Sequence, residues 1–380
     1  MTELREEIAA YGQSVLVLQG GGALGAYQVG VYQALHEAGI EPDWVVGTSI
    51  GAVNAALIAG SPKAERIERL REFWARVEHG RFLGSSLPDW FSAAARNMLA
   101  VTMGIPAFFR PNPAAFISAH APLGAEEAGY YSAAPLGETL GELVDFDQIN
   151  NGPMRLTVGA TNVRTSEMVY FDSRDMPLDL RHVMASGALP PAFPAIRIDG
   201  QLYWDGGILS NTPIEVVFDD NPRRSSMVFA VHLWNPHGHE PETIWEVMNR
   251  QKDVQYSSRA ASHIKRQRQL HRLRHIISEL AAMVPSDGPG RNRVAELAGY
   301  GCTTRMHVIR LLAPALDYED HAKDADFSPG SIRKRWEAGY RHTCETLAKA
   351  PWRGEVDPME GFVLHEACAG EMVQTAAATA

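Results

Sequence analysis

The chain has 380 residues, 45% hydrophobic and 21% charged, with a net charge of −10; that mixture bounds a globular protein of one large domain, or one domain with a substantial addition, and argues against a general nucleic-acid binder. Its three cysteines, Cys302, Cys344 and Cys368, have no metal-ligand spacing and read as free thiols of a reducing compartment. The acidic start, Met1-Thr2-Glu3-Leu4-Arg5-Glu6-Glu7, lacks the basic and apolar parts of a signal peptide, and no uncharged apolar run approaches ~18 residues, so the expectation is a soluble, cytoplasmic chain.

After a leading segment, residues 1–13, Val15-Leu16-Val17-Leu18 is a continuous apolar run, as expected of a strand buried on both faces of a parallel sheet. Gln19-Gly20-Gly21-Gly22-Ala23-Leu24-Gly25 follows, then a helix over about Ala26 to Ala38, with Tyr27, Val31, Ala34 and Leu35 on one side and Gly39 closing it. A second short strand, Trp44 to Val46, leads into Gly47-Thr48-Ser49-Ile50-Gly51 and another helix. Strand–helix steps joined by short loops predict an α/β fold with a parallel sheet.

Ser61-Pro62 reads as an N-cap followed by a proline in the first turn of a helix that reaches about His79. From Gly80 to Pro135 the pattern loosens: Trp90, Phe91, Met98, Leu99, Val101, Met103, Ile105, Phe108 and Phe109 are apolar and interrupted by prolines. This stretch fits the wall or lid of an acyl pocket as well as a helical insertion packed on the core. Strands return at Met154 to Ala160 and Met168 to Phe171, and Asp199-Gly200 joins Ile196-Arg197-Ile198 to Gln201-Leu202-Tyr203-Trp204 as a two-residue hairpin. The second hairpin strand ends at Asp205-Gly206-Gly207, and further strands are expected at Met227 to Leu233 and Met306 to Leu312. Glu242 to Met283 reads as helix, with a basic stretch from His263 to His275 suited to a solvated face or to an anionic lipid surface or partner. Ser331 to Lys349 is another helix, and the chain after Pro351 reads as a loose tail.

In Gly47-Thr48-Ser49-Ile50-Gly51 a serine stands at the apex of a strand-to-helix turn, flanked two residues away on each side by glycine. So sharp a turn needs small neighbours and pushes the hydroxyl out above the sheet, near the positive end of the next helix. Gly20 to Gly25 also satisfies Gly-x-Gly-x-x-Gly, the dinucleotide fingerprint, which requires an acid closing the second strand. Here Gly47-Thr48-Ser49 follows that strand and Asp43 precedes it, at its wrong end, so the nicotinamide reading is set aside. The other use of such a loop is electrostatic: consecutive glycines at a helix N-terminus expose backbone N–H groups that can stabilise an oxyanion. Both loops lie at the carboxyl edge of the sheet and can face one crevice.

A serine nucleophile needs a proton acceptor. His232, His237 and His239 follow Asp205 in the order Ser…Asp…His, but no feature marks any one of them. Asp205 is better marked, closing a strand before two glycines that let the chain turn away and leave the carboxylate in the crevice. A carboxylate with a pKa of about 4 is a weak base in water, and burial raises it. The same tripeptide also suits an ordinary turn.

Taken in order, Gly20-Gly21-Gly22-x-x-Gly25, Gly47-x-Ser49-x-Gly51 and Asp205-Gly206-Gly207 resemble the motifs of the patatin-like phospholipases, a family of serine lipid acyl hydrolases. Asn54-Ala55, Ala185-Ser186-Gly187-Ala188-Leu189-Pro190 and Asn211-Thr212-Pro213 fit as well. The resemblance implies a three-layer α/β fold, a central mostly parallel sheet between helices, with a catalytic domain over residues 14–235 in which 80–135 form a lid or helical insertion. Residues 236–350 are then a mainly helical C-terminal extension, similar to that of some bacterial patatin-like proteins, and 351–380 a flexible tail. It implies Ser49 as nucleophile, Asp205 as base in a Ser-Asp dyad without a catalytic histidine, and Gly20, Gly21 and Gly22 as the oxyanion loop, with Gly25, Gly47, Gly51, Gly206 and Gly207 supporting the motifs. It implies an acyl ester or lipid as substrate, with no metal, and no cofactor is expected. The basic stretch and the apolar 80–135 segment leave room for peripheral contact with a lipid surface, a homo-oligomer stays open, and the net charge argues against nucleic acid as a partner. Leu24 stands where family members commonly carry Arg or Lys, which counts against a preference for phospholipid head groups. The rival readings are a Ser-His-Asp esterase and a patatin-fold binding or scaffold protein without activity.

Overall fold

The computed structural model describes residues 2–78, 102–118, 120, 122–285, 290–316, 322–357 and 359–367. Trp90, Phe91, Met98, Leu99, Val101 and the last part of the expected tail lie outside them. Helix α1 (Thr2–Ala10) leads into β1 (Gln13–Leu18), and the glycine loop and a 3-10 turn (Gly22–Gly25) lead into α2 (Ala26–Glu37). Strand β2 (Trp44–Gly47) runs directly into α3 (Ile50–Ala59), and α4 (Arg66–Val77) follows. Arg110–Pro111 (β3) and Tyr131–Ser132 (β4) form a small antiparallel ladder apart from the main sheet. The remainder comprises β5 (Arg155–Asn162), β6 (Met168–Asp172), α5 (Leu180–Ser186), β7 (Ile196–Ile198), β8 (Gln201–Asp205) and β9 (Ser226–His232). Helix α6 (Ile244–Met283), β10 (Met306–Leu312), α7 (Pro329–Lys349) and β11 (Phe362–Ala367) complete the elements used below.

Among the described residues, nine strands form the main sheet in the order β11-β10-β9-β1-β2-β5-β8-β7, with β6 also paired to β5. Neighbours from β11 to β5 run parallel, and β6, β7 and β8 are antiparallel additions. The apolar run of β1 explains its central place. Leu16 and Leu18 point into the larger core with Val31, Leu57, Trp74 and Ala338, while Val15 and Val17 point into a second core with Ile214, Phe218 and Ile264. Helices therefore cover both faces, the three-layer α/β arrangement expected of the sequence. The registers Leu18↔Gly47 and Leu18↔Val231 bring the carboxyl ends of β2, β1 and β9 side by side.

The chain beyond residue 235 continues this same body. Strands β10 and β11 extend the sheet beyond β9, and α7 crosses α2 backbone against backbone. A Cβ on Gly30 would lie 1.9 Å from the Trp336 carbonyl oxygen, and one on Gly339 would lie 2.1 Å from that of Tyr27. The Tyr27 hydroxyl meets His342 Nδ1 at 2.6 Å in the same contact.

Two local expectations are corrected. Ser61-Pro62 does not cap α4: Pro62 begins a turn closed by the Glu65 amide, and the helix starts at Arg66. The Arg66 guanidinium folds back onto the Ser61 carbonyl and Glu41, which takes residue 61 out of the cap. The segment after Pro351, expected to be loose, buries Trp352, whose indole N–H donates to Glu7 of α1 at 2.9 Å. It then supplies the edge strand β11, because β10 would otherwise leave its backbone groups unpaired. The Asp199-Gly200 hairpin is as expected, with φ of 47° and 78° at its two turn residues.

The α2–α7 crossing yields a stability prediction. Gly339→Ala forces the helices apart and should cost about 1–3 kcal/mol in urea unfolding, whereas Gly330→Ala, where a Cβ meets open space, should be neutral or mildly stabilising. Equal stability of the two variants would show that the close crossing does not hold the C-terminal helix.

Candidate active site

Ser49 sits between β2 and α3 with φ 57° and ψ −127°, a conformation that strains a residue with a side chain. Its N–H faces both the carbonyl oxygen (3.1 Å) and the hydroxyl (3.0 Å) of Ser186 at the end of α5. The Ser186 hydroxyl in turn donates to the Gly159 carbonyl at 2.6 Å. The flanking glycines are sterically required: a Cβ on Gly47 would lie 2.3 Å from the Gly51 carbonyl oxygen, and one on Gly51 2.3 Å from that of Leu18.

The glycine loop passes directly over this turn. A Cβ on Gly20 would stand 3.0 Å from the Ser49 Cβ and 2.3 Å from Asn211 Oδ1. The Gly20 carbonyl accepts hydrogen bonds from Asn211 Nδ2 (3.0 Å) and Trp234 Nε1 (2.8 Å), and its amide donates to the Asn211 carbonyl (3.1 Å). Of the three amides expected to serve an oxyanion, that of Gly20 is therefore already committed to the backbone. Among the described residues no hydrogen bond occupies the amides of Gly21 and Gly22. Gly25 abuts Ile50 at the start of α3, and Asn54 Nδ2 of that helix donates to the Gly25 carbonyl at 3.1 Å. Gln19, fully buried, anchors the loop's start: its amide nitrogen donates to Thr212 Oγ1 (2.6 Å) and the Tyr256 carbonyl (3.2 Å), and its oxygen accepts from the Trp234 amide (3.1 Å).

Asp205 closes β8 opposite Ala160 and is 1% exposed. One carboxylate oxygen accepts the Gly207 amide at 2.6 Å, and Gly206 fits because a Cβ there would meet the Gly159 carbonyl oxygen at 2.4 Å. Burial pushes the Asp205 pKa up to about 7, and hydrogen bonds from the Gly207 amide and the Ser49 hydroxyl oppose part of that rise. Serine and carboxylate, 156 residues apart in sequence, thus meet through the β2–β5–β8 part of the sheet.

Both open into a cavity of about 260 Å³. Gly20, Gly21, Gly22 and Asn211 line its polar end; Val53, Phe108, Phe109, Tyr131, Leu189, Phe193 and Phe327 line an apolar wall. The wall is a set of touching rings, with centroid distances of 5.0 Å for Phe109–Tyr131, 5.2 Å for Phe108–Phe327 and 5.9 Å for Phe109–Phe193. From the described part of the 80–135 stretch, Phe108, Phe109, Tyr131 and Ala133 line this cavity. Tyr256, Asp324 and Phe327, which no motif marked, come from beyond residue 235. Asn211 was legible only as part of the family resemblance, and Gln19 only by its place beside the loop.

The three histidines considered as bases are elsewhere. His232 shares the face of Val228 and Ala230, and burial together with Arg310 pushes its pKa down to about 3. His237 and His239 line a different cavity, with Arg250 and Lys323. Among the described residues, no histidine lines the Ser49 cavity. Leu24 is buried in the larger core. Among the described residues there is no cluster of three or more His, Cys, Asp or Glu able to hold a metal, and no helix long and apolar enough to cross a membrane.

Sequence comparison agrees with this architecture. A profile described as patatin-like phospholipase matches residues 16–218, and a second, described as patatin phospholipase, matches residues 254–359. The chain belongs to the patatin-like phospholipase family. It is 29% identical over 263 residues to lysophospholipase nte1 of Aspergillus terreus, a match spanning 63% of this chain and 15% of that protein. It is 30% identical over 203 residues to the patatin-like phospholipase domain-containing protein ZK370.4 of Caenorhabditis elegans, covering 53% of this chain and 12% of the other. The chain therefore spans only a small part of these relatives. Among solved structures, VipD from Legionella pneumophila aligns over 89% of this chain and 67% of its own, with a TM-score of 0.40 and 16% identity.

The buried carboxylate makes stability depend on pH. Folded Asp205 holds its proton up to about 7, whereas in the unfolded chain it loses it near ~4. Between those values the native state binds more protons, so this group lowers stability as pH rises through the window, and its penalty is constant above it. Asp205→Asn should therefore be more stable than wild type at pH 8, on the order of 2–4 kcal/mol, with the gap closing towards pH 4. A thermal unfolding series across pH reads this; a gap independent of pH would contradict the buried, proton-holding carboxylate.

Proposed function

We propose that this protein hydrolyses acyl esters of lipids, with Ser49 as nucleophile and Asp205 as base. The observation that carries the reading is that Ser49 and a buried carboxylate of raised pKa, Asp205, line the same apolar cavity beside the glycine loop. Ser49 Oγ attacks the ester carbonyl carbon as its proton passes to Asp205. The carbonyl oxygen becomes an oxyanion facing the Gly21 and Gly22 amides. The tetrahedral species collapses, the alcohol leaves with the proton from Asp205, and the acyl group stays on Ser49. A water molecule then gives its proton to Asp205 and attacks the acyl carbon, releasing the acid and restoring the serine.

The apolar ring wall supports an acyl chain as the buried part of the substrate. The names of the fungal relatives make a lysophospholipid the first ester to test. Leu24, buried where a basic residue is common, removes one cation from the loop, and so favours recognition through the acyl chain over the head group.

Ser49→Ala should lose both ester turnover and labelling by a fluorophosphonate, and Asp205→Asn should lower kcat by about 10³-fold or more. His232→Ala should retain the wild-type mechanism. Because the base must be ionised, kcat/KM should fall as pH drops below an apparent pKa of about 7. Turnover that survives in Ser49→Ala, or that needs His232 while Asp205→Asn remains active, would overturn the assignment.

A further inference from the structure

Beyond residue 235 a short segment of the chain lies on the glycine loop at Gly22. A Cβ on Gly22 would lie 2.2 Å from the Asp324 carbonyl oxygen, so the segment's backbone lies directly on the loop, at a glycine whose φ is +53°. Three residues later Phe327 joins the pocket wall. The segment is fastened to α6 by a reciprocal pair of ion pairs. Lys252 Nζ lies 2.7 and 2.9 Å from the two Asp324 carboxylate oxygens, and Lys323 Nζ lies 2.8 Å from Asp253 Oδ1. The second pair is nearly enclosed, with side-chain exposures of 6% and 11%. The Lys323 ammonium also stands 5.4 Å from the centre of the Trp234 ring, whose indole N–H holds the Gly20 carbonyl.

Lys252-Asp253 on the helix thus faces Lys323-Asp324 on the segment, each lysine on the other's aspartate. A slip of one residue would set like charges opposite each other, so the arrangement fixes register as well as attachment. We propose that this reciprocal clamp is the positioning device for the oxyanion loop: it presses the segment on Gly22 and so sets where the Gly21 and Gly22 amides point. This rests on the reading of Ser49 as nucleophile. Its consequence is that Lys252, outside the motif-bearing part of the chain, governs the transition state rather than substrate binding, because the loop acts where charge develops.

The test uses the full chain and an acetyl ester, whose short acyl group makes little use of the ring wall, with rates expressed per serine labelled to completion by a fluorophosphonate. Lys252→Met should lower kcat about tenfold or more, with KM changed less than about twofold. Lys252→Arg, which keeps the charge, should restore most of the lost rate. Asp324→Asn, which keeps the shape of the side chain, should behave as Lys252→Met does and serves where that variant fails to fold. The clamp is overturned if Lys252→Met and Asp324→Asn both keep the wild-type kcat while Ser49→Ala is inactive. It is also overturned if the loss is confined to KM, or if Lys252→Arg and Lys252→Met lose rate equally. Ester turnover absent in wild type, or undiminished in Ser49→Ala, removes the nucleophile reading and the clamp with it.

Discussion

The site depends on a backbone contact that only glycine permits. Where β2 turns into α3, the Gly51 Cα lies against the last carbonyl of β1 and Gly47 lies against the Gly51 carbonyl, with no room for a Cβ at either. That approach places the first residues of α3 beside the glycine loop leaving β1 and holds Ser49 at positive φ. The strain is borne because the Ser49 amide is received by Ser186, itself tied to β5. The Gly20 contacts with Ser49 and Trp234 follow from the same crowding of the β2, β1 and β9 ends, and Asn211, in the chain that follows β8, closes onto Gly20 as well.

Asp205 shows what such a site asks of the fold. Its burial disfavours the ionised form, and that is what lifts a weak base towards neutrality. The cost falls on native-state stability above the ordinary carboxylate range. It is offset by cores on both faces of a sheet that the chain continues to build well past the motif-bearing part. Strands β10 and β11, the α2–α7 crossing, and the Tyr256, Asp324 and Phe327 side of the cavity make the C-terminal part a structural component of the site rather than an appendage.

Much of this was legible in the sequence, for definite reasons. Central parallel strands are short apolar runs, so Val15–Leu18 and Val228–Val231 announce themselves, and Asp199-Gly200 is one of the few dipeptides at ease with two positive φ values. The glycines beside Ser49 could be read because a sharp turn leaves no alternative to them. What was hidden depends on partners distant in sequence. The Gly20 amide looks available until the Asn211 carbonyl, 191 residues later, is folded onto it and accepts its hydrogen bond. Nothing local says that Phe327 closes an apolar wall begun by Phe108 and Phe109, or that Lys323 and Asp324 meet Lys252 and Asp253. Strand β11 was missed because Phe362–Ala367 is short and carries His365 and Glu366 among its apolar residues. Its pairing with β10 decides its structure more than its own propensity does.

The most direct measurement is a crystal structure of the protein after reaction with a long-chain alkyl fluorophosphonate. The account predicts phosphorus bonded to Ser49 Oγ, the phosphoryl oxygen within hydrogen-bond distance of the Gly21 and Gly22 amides, the Asp205 carboxylate beside Oγ, and the alkyl chain along Phe109 and Phe193. An adduct on another residue, or a phosphoryl oxygen turned away from the glycine loop with a histidine at Ser49, would contradict it.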